Sequence, residues 1–146
     1  MINLFTIGFT KKPAETFFKL LKDSGVKQIV DTRINNVSQL SGFAKGSDLQ
    51  FFAREIGNIS YDHNIDLAPT KDLLSLYRTK KLTWNEYETE YLNLLDIRKI
   101  AQKINVENLH QNCLLCSEHK PDRCHRRLLA EYFKQVRNDI QITHLI

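Results

Sequence analysis

The chain has no apolar run approaching the roughly 18 residues needed to cross a bilayer, which excludes a helical membrane protein. Glycine and proline are sparse, at five and three residues, which excludes collagen-like and low-complexity classes. Three cysteines are too few for a disulfide scaffold. The opening MINLFTIGFTKK lacks the basic lead-in and long apolar segment of a signal peptide. Reduced thiols and a cytoplasmic location are therefore expected. A dense block of one charge is also missing: the basic residues are scattered as TKK, RTKK and CHRR. The net charge of +4 leans towards an anionic partner without the bias of a nucleic-acid-coating surface. A small anionic ligand fits this balance, and nucleic acid stays open as a partner. Oligomeric state is not readable.

What is present is ordinary globular composition, 42% hydrophobic and 26% charged over 146 residues, enough for one domain spanning 1–146. INLFTIG reads as a short strand. Residues 13–24 read as a helix with Pro13 in its first turn, Gly25 at its stop and a stripe of Ala14, Phe17, Phe18 and Leu21. KQIVDTR is a second buried strand, completing a βαβ unit. The polar stretch INNVSQLSGFAKGS is longer than a usual connection. A helix around 47–56, a strand ISYDHN and a helix over 70–79 follow. Thr83 and Glu86 form a capping-box pattern opening a helix that carries Trp84, Tyr87, Tyr91, Leu94 and Leu95. QNCLLC is a fourth strand, DRCHRRLLAEYFKQV a helix and IQITHLI a closing strand. This alternation predicts a three-layer α/β fold, Rossmann-like, with a mostly parallel sheet of about five strands.

Chemistry is concentrated at 113–127. Cys113, Cys116, His119, Cys124 and His125 are five potential zinc ligands. The leucines between Cys113 and Cys116 mark a buried strand, on which those two positions face opposite ways. No metal and no cofactor is therefore expected. Stepping back along the following helix puts Cys124 and His125 on its inward side. Arg126 lies at the flank with Ala130 and Phe133, and Arg127 aligns with Glu131 as a solvated charge. Cys116 ends its strand beside that helix N-terminus, with Glu118 two residues on. A thiol so placed has the anatomy of a reactive cysteine; the alternative is a small buried hydrophobe.

Asp31 and Arg33 close the second strand, and Thr6 and Gly8 close the first. In an open parallel sheet, ligands bind outside the carboxyl ends of the strands. The pattern predicts one rim site with Cys116, Glu118, Asp31 and His125 as reacting groups and Thr6, Gly8, Arg33, Cys124 and Arg126 as binding groups. The competing reading of Asp31 and Arg33 is a structural ion pair.

FTIGFT, VDTR followed by Ser38, LLCSEHKPDRCHRRLLAEY and ITHLI together resemble the bacterial and archaeal family called domain of unknown function 488. Its pattern has T-I-G, then D-x-R, then C-x-E…C-H-R, and the resemblance spans nearly the whole chain. DLAPTKD departs from it, standing where the family usually has L-G-G. The resemblance implies a fold and a shared site of Asp31, Arg33, Cys116, Glu118, Cys124, His125 and Arg126, with Ser38 beside it, but no reaction. An enzyme acting on a small anionic or nucleotide-like substrate is the expected function. A non-catalytic nucleotide- or nucleic-acid-binding module is the alternative, followed by a thiol-redox or zinc protein using Cys116 and Cys124.

Overall fold

The computed structural model describes residues 1–37 and 42–146. Strand β1 (Ile2–Gly8) leads into helix α1 (Ala14–Asp23). Gly25 takes a φ of 77°, the left-handed turn that stops α1 as its sequence position predicts. Then come β2 (Gln28–Asp31), α2 (Gly46–Gly57) and β3 (Ser60–His63). Helix α3 (Lys71–Arg78) starts where the Thr70 side chain accepts from the Leu73 N–H. Helix α4 (Trp84–Ile97) starts on the predicted capping box of Thr83 and Glu86. The short α5 (Ile100–Lys103), β4 (Asn112–Cys116), α6 (His125–Val136) and β5 (Ile140–Leu145) complete the chain. Helix α6 begins later than its sequence pattern predicts. Cys124 is extended (φ −137°, ψ 140°) and caps the helix from outside, while Asp122 and Arg123 form a turn.

The five strands form one sheet in the order β3-β2-β4-β1-β5. Every pairing is parallel, so the expected mostly parallel sheet is wholly so. Strand β4, arriving late in the chain, inserts between β1 and β2. That insertion places the ends of β1, β4 and β2 side by side.

Alternating side chains feed two cores. On one face Ile7, Ile29, Cys113 and Leu115 pack against Phe17, Phe18 and Leu21 of α1 and Leu49 and Ala53 of α2. On the other, Leu4, Val30 and Leu114 pack against Tyr87, Tyr91 and Leu95 of α4 and Leu128, Leu129 and Phe133 of α6. Each fully buried side chain of this size contributes roughly 1.5–3 kcal/mol, so both faces are needed to fix the three layers. Residues 65–69, at the departure from the family pattern, are fastened to α4. Tyr91 Oη donates to the Leu67 carbonyl at 2.6 Å, and Arg98 Nη1 donates to the carbonyls of Asp66 and Ala68. Among the described residues no helix is long and apolar enough to cross a membrane.

Gly8 is where the fold tolerates no side chain. A Cβ there would collide with the Glu118 carbonyl and approach Arg126 Nη1, so the loop after β4 lies directly on the end of β1. Gly8→Ala is expected to lower stability by about 1–3 kcal/mol, as overpacking does, measurable by urea denaturation.

Candidate active site

The sheet register brings the predicted rim together. Gly8 is opposite Cys116, and Asp31 is opposite Leu115, one residue short of Cys116. Thr32 extends the join: its N–H donates to the Leu115 carbonyl, and so does its hydroxyl.

Asp31 is fully buried on the α1–α2 face, and both its oxygens are occupied. Arg33 meets it with two parallel bonds, Nε to Oδ1 at 2.9 Å and Nη2 to Oδ2 at 2.7 Å, and the Arg33 N–H adds a third. Tyr61 Oη donates to Oδ2 at 2.6 Å; burial first, then this bond, pushes the Tyr61 hydroxyl up to about 12. Arg33 is only 6% exposed, lies over the Phe9 ring at 5.1 Å and donates through Nη2 to the Ala44 carbonyl. Its Nη1 is buried with no hydrogen-bond partner among the described residues.

Arg126 is fully buried. Its Nε donates to Thr6 Oγ1 at 3.3 Å, Nη1 to the Glu118 carbonyl at 2.6 Å and to Cys116 Sγ at 3.2 Å, and Nη2 to the His119 carbonyl at 3.2 Å. Thr6 is itself joined to His144 Nδ1. None of these acceptors is a carboxylate. Burial pulls the Arg126 guanidinium down to about 10, still a cation at neutral pH.

Cys116 and Cys124 face each other and are joined through their sulfurs, with Cα atoms 7.6 Å apart. Disulfide-bridged cysteines usually keep that separation at about 4.4–6.8 Å, so the backbone holds this pair wide. His125, next in the chain, points Nε2 at the Thr32 carbonyl (2.9 Å) and hydroxyl (3.0 Å). A carbonyl can only accept, so Nε2 carries the proton and Nδ1 keeps its lone pair. Burial, the largest influence, pulls His125 down to about 4, which leaves the ring neutral.

Some of these groups border a cavity of about 370 Å³, within the range of small-molecule sites. Of the predicted residues, Arg33, Cys116, Glu118, Cys124 and His125 line it. Asp31, Thr6, Gly8 and Arg126 do not; they stand behind its wall, Asp31 holding Arg33 and Arg126 holding the loop after β4. The free donors expected of Arg126 are spent on protein acceptors. Ser38 lies outside the described residues. Arg127 is not the solvated charge expected: its side chain is 24% exposed, bonded to Glu131 and set over Trp84.

The sequence reading missed most of the cavity lining. Tyr77 and Arg78 from α3, Trp84 and Tyr87 from α4, and Arg123 all line it. Tyr77, Trp84 and Tyr87 form a mutually packed aromatic wall, Trp84 and Tyr87 stacked at 5.4 Å. Helical spacing places Trp84 and Tyr87 on one stripe without marking a cavity, and Tyr87 belongs to the core as well; the available signal is three large aromatics with polar tips close to Arg78.

An all-parallel sheet covered by helices on both faces, with a cavity at the carboxyl ends of its strands, defines an α/β protein of Rossmann-like architecture. Within that class the chain belongs to the family described as Domain of unknown function DUF488, whose model matches residues 13–133. No curated protein and no solved structure matches the chain.

The Asp31–Arg33 geometry is that of a buried ion pair. Removing one partner of a buried pair leaves the other charge uncompensated, at a cost of about 3–5 kcal/mol. Asp31→Asn is therefore expected to lose stability in that range by chemical denaturation. A variant as stable as the wild type would return Asp31 to the role of an available acid or base.

Proposed function

We propose that this protein is an enzyme that takes a small nucleotide-like anion into the cavity at the ends of β2 and β4. The observation that carries the reading is the buried, unpartnered Nη1 of Arg33 on the wall of a cavity that also holds Arg78, Arg123 and three packed aromatics. Neither Arg78 nor Arg123 is ion-paired among the described residues. Charge-assisted bonds from guanidinium groups suit phosphate or carboxylate oxygens, and the packed wall of Tyr77, Trp84 and Tyr87 offers an apolar side for a base to lie against.

The same cavity carries groups able to move protons. Glu118 is exposed at its mouth and is the candidate general acid or base. His125 is neutral, its Nε2–H held by the Thr32 carbonyl. Asp31 acts as a positioning residue, fixing the Arg33 fork in a plane that leaves Nη1 for the ligand. Such a set serves hydrolysis or group transfer at an anionic centre.

Thermal-shift screening against nucleotides, sugar phosphates, nucleobases and inorganic phosphate tests this, followed by product analysis on each hit. Nucleotides are expected to stabilise the protein more than phosphate or nucleobase alone. Arg78→Ala is expected to weaken that binding by about tenfold to a hundredfold, as loss of a bond to a charged group does. It should leave the melting temperature of the free protein unchanged, because Arg78 is exposed. Binding without any turnover would make the chain a recognition module; no shift with any class would overturn the reading.

A further inference from the structure

The two cysteines and the histidine on the cavity wall form a more specific centre than a nucleophile with neighbours. One sulfur each from Cys116 and Cys124 and one ring nitrogen of His125 lie within 4.8 Å of one another. A tetrahedral zinc ion with Zn–S near 2.3 Å and Zn–N near 2.0–2.1 Å holds such atoms about 3.5–3.8 Å apart. We propose that, with the Cys116–Cys124 link reduced, these two thiolates and His125 bind a zinc ion whose fourth position opens onto the cavity.

Four observations besides proximity support the assignment. First, the 7.6 Å between the Cα atoms exceeds the usual disulfide span, so the backbone directs two sulfurs at a common point from farther apart than a bridge needs. Second, His125 has the outer partner characteristic of a metal ligand. Its Nε2–H is held by the Thr32 carbonyl, which fixes the ring and leaves Nδ1 as the ligand atom. Third, the Cys116 sulfur accepts from the buried Arg126 guanidinium at 3.2 Å, a donor that favours a thiolate. Fourth, all three residues line the cavity. Three protein ligands with an accessible fourth position are the pattern of catalytic rather than structural zinc, and two thiolates with one imidazole fall within the known ligand sets. This donor set selects zinc over the hard cations, which take oxygen ligands.

The pairing that argued against metal in the sequence was Cys113 with Cys116. The structure agrees on that pair: Cys113 packs in the α1–α2 core with Leu115, and burial pushes its thiol well up. The ligand set instead couples the strand end to the cap and first residue of α6. The late start of that helix, after the Asp122–Arg123 turn, is what brings Cys124 round to face Cys116.

The inference rests on donor geometry and not on the proposed substrate, so each can fail alone. The test is elemental analysis of protein purified under reducing conditions and dialysed against a weak chelator. In parallel, cobalt(II) is titrated into the reduced, metal-free protein. The expected result is about one zinc ion per chain. The cobalt form should show thiolate-to-metal charge-transfer absorption together with the intense visible bands of a tetrahedral site. Cys124→Ser and His125→Gln should lose zinc on dialysis and weaken cobalt binding, while Cys113→Ser retains both. Because the wild-type measurements stand by themselves, misfolding of a variant does not blunt the test. Reduced wild-type protein that holds no zinc and gives no cobalt–thiolate absorption would overturn the proposal. So would zinc that survives in Cys124→Ser but not in Cys113→Ser.

Discussion

A single buried cation organises this end of the molecule. Arg126 enters from the first turn of α6, where a long side chain can run under the loop that follows β4, and it is satisfied entirely by neutral acceptors and one sulfur. A buried charge without such partners would cost several kcal/mol, so the loop carbonyls of Glu118 and His119 must stay where they are. Their position in turn requires Gly8, since any Cβ there meets the Glu118 carbonyl. Thr6, Gly8, Cys116 and the cap of α6 are thus one assembly. The cavity wall inherits its shape from that assembly.

A second, independent fixture comes from the opposite face of the sheet. Asp31 is buried among Arg33, Tyr61 and the α1–α2 core, and it sets the Arg33 guanidinium, which lines the cavity. Because β4 inserts between β1 and β2, these two fixtures meet at neighbouring strand ends. Thr32 links them, donating to the Leu115 carbonyl and receiving the His125 ring. The chemistry-bearing side chains are therefore held by residues that do not themselves touch the cavity.

That division explains what was legible in the sequence. The elements were readable because local signals agreed with the global fold: Gly25 stops α1, the Thr83–Glu86 box opens α4, and leucines at β4 mark a strand buried on both faces. The residues of the rim were readable as a set because parallel strands end on one side. Their roles were not. Whether Asp31 or Arg33 meets the cavity depends on which face of the sheet each projects from at the strand end, where strict alternation stops. Whether Arg126 reaches ligand or loop depends on a carbonyl two residues past β4. Trp84 and Tyr87 were not marked as site residues, because helical periodicity reports an inward face and not whether that face meets protein or space. Cys116 and Cys124 were legible as a pair for thiol or metal chemistry; that His125 joins them follows from where α6 starts, and helix boundaries shift easily in a pattern.

The claim that Arg126 organises the site is tested most directly at the sulfur it touches. The measurement is the alkylation rate of Cys116 against pH in reduced, metal-free protein, read by mass spectrometry, for wild type, Arg126→Lys and Arg126→Gln. A cation beside a thiol favours the reactive thiolate. Wild-type Cys116 should therefore react at lower pH than an ordinary exposed thiol, and well ahead of the buried Cys113. Arg126→Lys should keep most of that advantage and Arg126→Gln should lose it. Identical pH profiles in wild type and Arg126→Gln, both folded, would show that the guanidinium does not govern this end of the sheet.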